Sequence, residues 1–199
     1  MKRIDLKNSF ETLKRGESTK ISEGVHARLI KKEDFSHLVE MLNNPSMNKY
    51  LFYAPAPAEA FEGFFNPMIE AAAVAIEKNE WPDAACLILV DNDGHFLGNI
   101  GLVQNPFLEG NLEVGFHIIE SVWGKGTATA ITKFVCAIAF SQLNAYKLCA
   151  DCYGGNTGSI KVLEKAGFTK EGNQKAYYVD DDKLLFGLTK EDYSSSSII

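Results

Sequence analysis

Apolar and polar positions recur with two different periods along this chain, and each change of period marks an element. VHARLI (25–30) reads as a first strand. In KKEDFSHLVEMLNN, Phe35, Leu38, Val39 and Leu42 repeat at i, i+3, i+4 and i+7, which predicts a helix that Pro45 stops. A second helical stretch is predicted from about Ala58 to Glu77, interrupted near Pro67. AACLILVD and HFLGNIGLV flank Asn92-Asp93-Gly94, a hairpin signal. A turn at NPFLEGN leads into LEVGFHII (112–119), followed by a glycine-bearing segment and a helix to about Gln142. Ile131, Phe134, Val135 and Ile138 give that helix one apolar face, so it should pack on a sheet. KLCADCY reads as a strand, GSIKVLEKAG as a short helix, and KAYYV and KLLFGLT as the two last strands.

That order is strand, helices, antiparallel meander, then strand–helix–strand–helix–strand. It predicts a mixed α/β domain with one crossover, between LEVGFHII and KLCADCY. Residues 1–24 lack clear periodicity and read as an N-terminal arm. The domain is expected over 25–192, and 193–199, ending SSSSII, as a disordered tail.

Composition narrows the class. The 199 residues suit one domain, and 46% hydrophobic with 23% charged is the balance of a water-soluble globular protein. No apolar run approaches the roughly 18 residues of a membrane span, and MKRIDLKNSFETLKRGESTK has no secretory core, which predicts a cytoplasmic protein without membrane association. A net charge of −6 argues against nucleic acid as partner. It is compatible with cationic partners such as amines, although solubility alone is the simpler explanation of a mildly acidic surface. Cys149-Ala-Asp-Cys152 matches C-x-x-C, but on a strand the two thiols would face opposite ways, so no metal site is expected.

The chemistry begins at SVWGKGTATA (121–130), where Gly124 and Gly126 flank Lys125 just before a helix. A helix start carries unpaired N–H groups and about half a positive charge, and bare backbone lets an anion approach. Neither familiar phosphate loop fits. Ile119 stands at the first glycine of a P-loop, and Thr129 at the third glycine of the dinucleotide fingerprint. A loop tightened for packing alone is the competing reading.

Trp123-Gly124-Lys125-Gly126-Thr127-Ala128 resembles the acetyl-CoA pyrophosphate loop (Q/R-x-x-G-x-G/A) of the GCN5-related N-acetyltransferases (GNAT), with Trp123 in place of Gln or Arg. LEVGFHI resembles the "aEIGYWI" strand and NTGSIKVLEKAGF the "NxxSIRVLEKLGF" helix of the branch that acetylates ribosomal-protein amino termini, the RimJ/RimL type. Three motifs in order carry the resemblance, which spans roughly residues 25 to 192.

The resemblance implies a GNAT fold: one mixed, mostly antiparallel sheet, helices on both faces and a splayed strand pair at the acetyl-CoA site. It implies direct acetyl transfer from acetyl-CoA to a primary amine, without metal. Backbone at His117, Ile118 and Ile119 would hold the pantetheine arm and polarise the acetyl carbonyl. Trp123, Gly124, Lys125, Gly126, Thr127 and Ala128 would take the pyrophosphate, with Asn156 and Ser159 along the pantetheine. For catalysis it implies Glu113 as base, Ser159 as the hydroxyl near the thiol because Leu163 stands where many members have a tyrosine acid, and His117 either as a second base or as packing. Read from alternation alone, Glu113 is either an edge residue in water or a poised carboxylate, and Asn156 is also a sound helix cap.

The expected acceptor is a protein N-terminal α-amine, whose pKa near ~8 makes its deprotonation about 3 kcal/mol easier than that of lysine at neutral pH. One alternative is a small-molecule amine such as an antibiotic or polyamine. The other is a non-catalytic acyl-CoA-binding module. A protein substrate calls for an open groove beside Glu113, a small one for a closed aromatic pocket built around Tyr50 to Tyr53. The same reading leaves room for a homodimer.

Overall fold

The structure, a computed structural model, describes residues 5–195. Eight strands form one sheet: β1 (Thr19–Ser22), β2 (Val25–Leu29), β3 (Ala84–Val90), β4 (Phe96–Gln104), β5 (Asn111–Ile118), β6 (Lys147–Tyr153), β7 (Thr169–Gln174) and β8 (Lys183–Thr189). They lie in the order β1-β2-β3-β4-β5-β6-β8-β7. All pairings are antiparallel except β5 with β6, which helix α5 connects as a crossover. The helices are α1 (Leu6–Lys14), α2 (Phe35–Asn43), α3 (Pro45–Asn48), α4 (Ala58–Lys78), α5 (Thr127–Gln142), α6 (Thr157–Lys165) and α7 (Lys190–Ser195). No described helix is long and apolar enough to cross a membrane.

β3 is apolar from end to end because both of its faces are covered, and Ala85 to Val90 are all buried. β5 follows the alternating pattern instead. Leu112, Val114 and Ile118 are buried, whereas Glu113 and Gly115 on the opposite face are exposed. Helix α5 packs against β5 and β4 through Ile131, Phe134, Val135 and Ile138, all buried. On β2, Arg28 grips the buried Asp34 with two 2.7 Å hydrogen bonds, and Asp34 also accepts the Lys31 N–H at 2.8 Å. This bidentate pair fixes the entry into α2, and removing either partner would leave the other charge desolvated.

Five sequence expectations change. Within 1–24, α1 and β1 are integral parts of the fold. Leu6, Phe10 and Leu13 form an i, i+4, i+7 stripe whose last two members are buried in the core, Asp5 caps the helix, and β1 extends the sheet. Helix α4 runs through Pro67 without a break. The proline lies on the exposed side, four residues after Gly63, so the carbonyl it deprives of a partner can turn to water. Asn44 caps a new short helix beginning at Pro45, where proline needs no N–H partner. KAYYV is a turn, and its sheet position is taken by TKEGNQ, an exposed edge strand with no apolar alternation to announce it. In the expected tail, 193–195 close α7 and Tyr193 stacks on Phe140; residues 196–199, like 1–4, lie outside the described part.

Candidate active site

The sheet opens at the one parallel junction among the described strands. β5 and β6 pair through Asn111–Lys147, Leu112–Leu148 and Glu113–Cys149, and then diverge although both strands continue for several residues. Beyond Glu113, the backbone of β5 on the β6 side therefore has no ladder partner. The Ile119 N–H goes to the Leu97 carbonyl on β4 at 3.0 Å. Antiparallel alternation then directs the amides of Ile118 and Phe116 the other way, into the gap. The Ile118 carbonyl is on that open side as well, accepting the Trp123 indole N–H at 2.6 Å.

Trp123 thereby ties the glycine loop to the splayed strand, which gives a physical role to the residue standing in place of Gln or Arg. Gly124 and Gly126 have φ of 72° and 82°, and a Cβ on either would meet open space. The glycines serve backbone conformation and access, since no packed neighbour excludes a side chain. Gly126 is the N-cap of α5 and offers no capping side chain. The first-turn amides of Thr127, Ala128 and Thr129 thus face the cavity available to an anion.

A cavity of about 750 Å³ runs from this loop through the gap. On the α6 side, Asn156 caps the helix by accepting the Ser159 N–H at 3.1 Å, and both residues line the cavity. At the other end the chain 50–53, the end of β6 and the β7–β8 turn meet in an aromatic cluster. Tyr153 and Tyr178 stack at 3.6 Å, Tyr50 lies 5.9 Å from Tyr153, and Phe52 lies 5.7 Å from Tyr178. Tyr53 Oη is 2.8 Å from His117 Nε2, and His117 Nδ1 is 3.2 Å from the Asn99 Oδ1. Desolvation pushes the His117 pKa down to about 4, so the imidazole is neutral at neutral pH. On β6, Asp151 lines the cavity and pairs with Lys183 at 2.7 Å.

Of the residues expected from sequence, His117, Ile118, Trp123, Gly124, Gly126, Thr127, Ala128, Asn156 and Ser159 line this one cavity. Lys125 and Ile119 do not, and the Ile119 amide is engaged with β4. Glu113 is exposed at the closed apex of the gap, outside the lining. The position of the absent tyrosine acid, Leu163, is buried in the core. Cys149 and Cys152 lie on opposite strand faces, Cys149 beside Asn111 and Cys152 buried at the cavity wall. Sequence reasoning missed Tyr153, Tyr178, Asp151 and Asn99. Alternation on β6 could have shown that Cys149, Asp151 and Tyr153 share a face, but nothing local brings Tyr178 there.

A splayed parallel pair beside a glycine-led helix start is the arrangement that the resemblance to the acetyl-CoA loop implied. The family model for the acetyltransferase (GNAT) domain matches residues 25–169, and the chain belongs to this family of N-acetyltransferases. It is 26% identical over 180 residues to the putative ribosomal N-acetyltransferase YdaF of Bacillus subtilis, covering 87% of this chain and 96% of that one. It is 27% identical over 151 residues to the spermidine N(1)-acetyltransferase of Escherichia coli, covering 76% of each. Among solved structures, spermidine N-acetyltransferase from Vibrio cholerae in complex with CoA and spermine superposes with a TM-score of 0.70 at 18% identity, over 86% of this chain and 99% of that one. The low identity makes this a likeness of fold. Family membership brings acetyl-CoA as donor and an amine as acceptor.

The loop assignment has a direct check. Gly126→Asp should weaken acetyl-CoA binding at least about tenfold in calorimetry, since it places a carboxylate by the pyrophosphate and a Cβ at positive φ. Gly126→Asn shares the backbone strain without the charge and should lose much less. Equal, unchanged affinities would remove the loop from the donor site.

Proposed function

We propose that this protein acetylates a small cationic primary amine, rather than the amino terminus of a protein. The aromatic cluster supports this reading. Phe52, Tyr53, Tyr153 and Tyr178 come from three separate segments and gather at one end of the gap, where their rings offer a compact aromatic surface to a small amine. Ring faces attract ammonium groups by about 0.5 to 2 kcal/mol each. The likeness to polyamine acetyltransferases agrees with this, and the likeness to a putative ribosomal enzyme favours the protein-terminus reading as the second possibility.

In the proposed reaction the neutral amine attacks the acetyl carbonyl, held by the Phe116 and Ile118 amides. The new C–N bond forms, the C–S bond breaks, and the sulfur leaves with the electron pair. The Ser159 hydroxyl, on the cavity wall, gives its proton to that sulfur and is reprotonated from water. Glu113, exposed at the apex, contributes charge that draws the cation inward.

Thiol release from acetyl-CoA separates the two acceptor classes. 1,4-Diaminobutane or phenylethylamine should exceed Ser- and Ala-led peptides in kcat/KM by about tenfold or more. A peptide preference of that size would restore the protein-terminus reading. No release with any amine would leave only an acyl-CoA-binding module.

The same assay tests the residue roles. Ser159→Ala should lower kcat by about ten- to a hundredfold with acetyl-CoA affinity unchanged. Glu113→Gln should raise KM for the diamine and spare kcat. A fall in kcat at constant KM would instead make Glu113 the base.

A further inference from the structure

We propose that Asn99, His117 and Tyr53 form a one-way hydrogen-bond chain that removes the proton from the acceptor amine. In it, Tyr53 Oη meets the amine, His117 Nε2 receives the proton, and Asn99 is a positioning residue. The proposal rests on the acetyl-transfer reading above but not on which amine is used.

The direction of the chain is set from its buried end. Asn99 is 5% exposed and sits directly opposite His117 in the β4–β5 register. Its amide nitrogen donates towards the Cys86 Sγ at 3.7 Å, which leaves Oδ1 facing His117 Nδ1. A carbonyl oxygen only accepts, so Nδ1 must carry the hydrogen. A neutral imidazole has a single N–H, and Nε2 is therefore a lone pair. Tyr53, 2.8 Å away, must donate to it. Its remaining oxygen lone pairs are then free to accept from a group in the acceptor pocket.

Titration state keeps the chain ready. Desolvation holds His117 neutral, with its pKa down to about 4. The other titratable members nearby, Tyr53 on the α3–α4 loop and Cys86 behind Asn99, keep their protons because burial pushes both up to about 12. When the amine nitrogen bonds to the carbonyl carbon, its acidified N–H passes a proton to Tyr53 Oη as the phenol's own proton moves to His117 Nε2. His117 returns the extra proton to water after the amide has formed. One proton leaves nitrogen, one reaches sulfur through Ser159, and every side chain ends as it began.

A packing contact would also place Tyr53 edge-on to His117, as seen at 6.4 Å between ring centres. The test must therefore read the hydrogen itself. Nitrogen NMR of protein labelled at histidine, with His117→Gln supplying the assignment, should show His117 in the Nδ1–H form at pH 7. An Nε2–H form would overturn the chain, whatever the acceptor. Tyr53→Phe keeps the ring and should lower kcat for 1,4-diaminobutane about ten- to a hundredfold, with acetyl-CoA affinity within about twofold of wild type. Full kcat in this variant would also overturn it. Asn99→Leu should lose the tautomer preference and most of kcat. Asn99→Asp keeps the acceptor, so it should restore the Nδ1–H form and part of kcat, and move the acid limb of the pH–rate profile upward by about one unit or more. Failure of Asn99→Asp to do either would leave Asn99 without a positioning role. A wild-type protein inactive on every amine would instead strike the transfer reading, and is distinguishable because the NMR result does not depend on turnover.

Discussion

The parallel ladder between β5 and β6 ends after three residue pairs, and the site depends on that early ending. Had the pairing continued, the Phe116 and Ile118 amides would be consumed by β6. Instead they are left facing a gap at the centre of an otherwise bonded sheet. Unpaired backbone in such a place is costly unless something polar meets it, so the gap is a standing demand for a ligand with acceptor groups. An amide-rich pantetheine chain and a thioester carbonyl meet that demand. The α5 start, tethered by Trp123 to the Ile118 carbonyl, sets the anion-binding end at a fixed position relative to the gap.

The acceptor side is organised differently. Its walls come from the α3–α4 loop and the β7–β8 turn, set against the end of strand β6. A rigid donor site and a wall of loops is a common division of labour, because loops can change without disturbing the core. The aromatic residues here hold one another, with Tyr153 and Tyr178 in stacked contact and Tyr178 hydroxyl reaching Asp151 at 3.5 Å. That mutual support shapes the aromatic end of the cavity.

Much of the fold was legible because hydrophobic pattern and burial coincide. β6 and β8 fall on KLCADCY and KLLFGLT, and the Asn92-Asp93-Gly94 turn joins β3 to β4. The failures have physical causes. α1 buries Phe10 and Leu13 among nine mostly polar residues, so its stripe is sparse. TKEGNQ is an edge strand exposed on most positions, which removes alternation. KAYYV resembled a strand because aromatic residues favour sheets, whereas Tyr178 is there to line the pocket. The glycine turn of the proposed donor site was readable because it is backbone geometry written in consecutive residues, Gly124 and Gly126 above all. The acceptor site was not, because Tyr53, Asn99, Asp151 and Tyr178 are brought together only by the fold.

Amide hydrogen exchange with and without acetyl-CoA tests the central claim most directly. The account predicts slowed exchange at Phe116, Ile118 and the Gly124–Thr129 segment, with little change at Ile119, whose N–H is already bonded to Leu97. Protection that spared Phe116 and Ile118 while acetyl-CoA was bound would contradict it, since the opened strand would then not be what holds the donor.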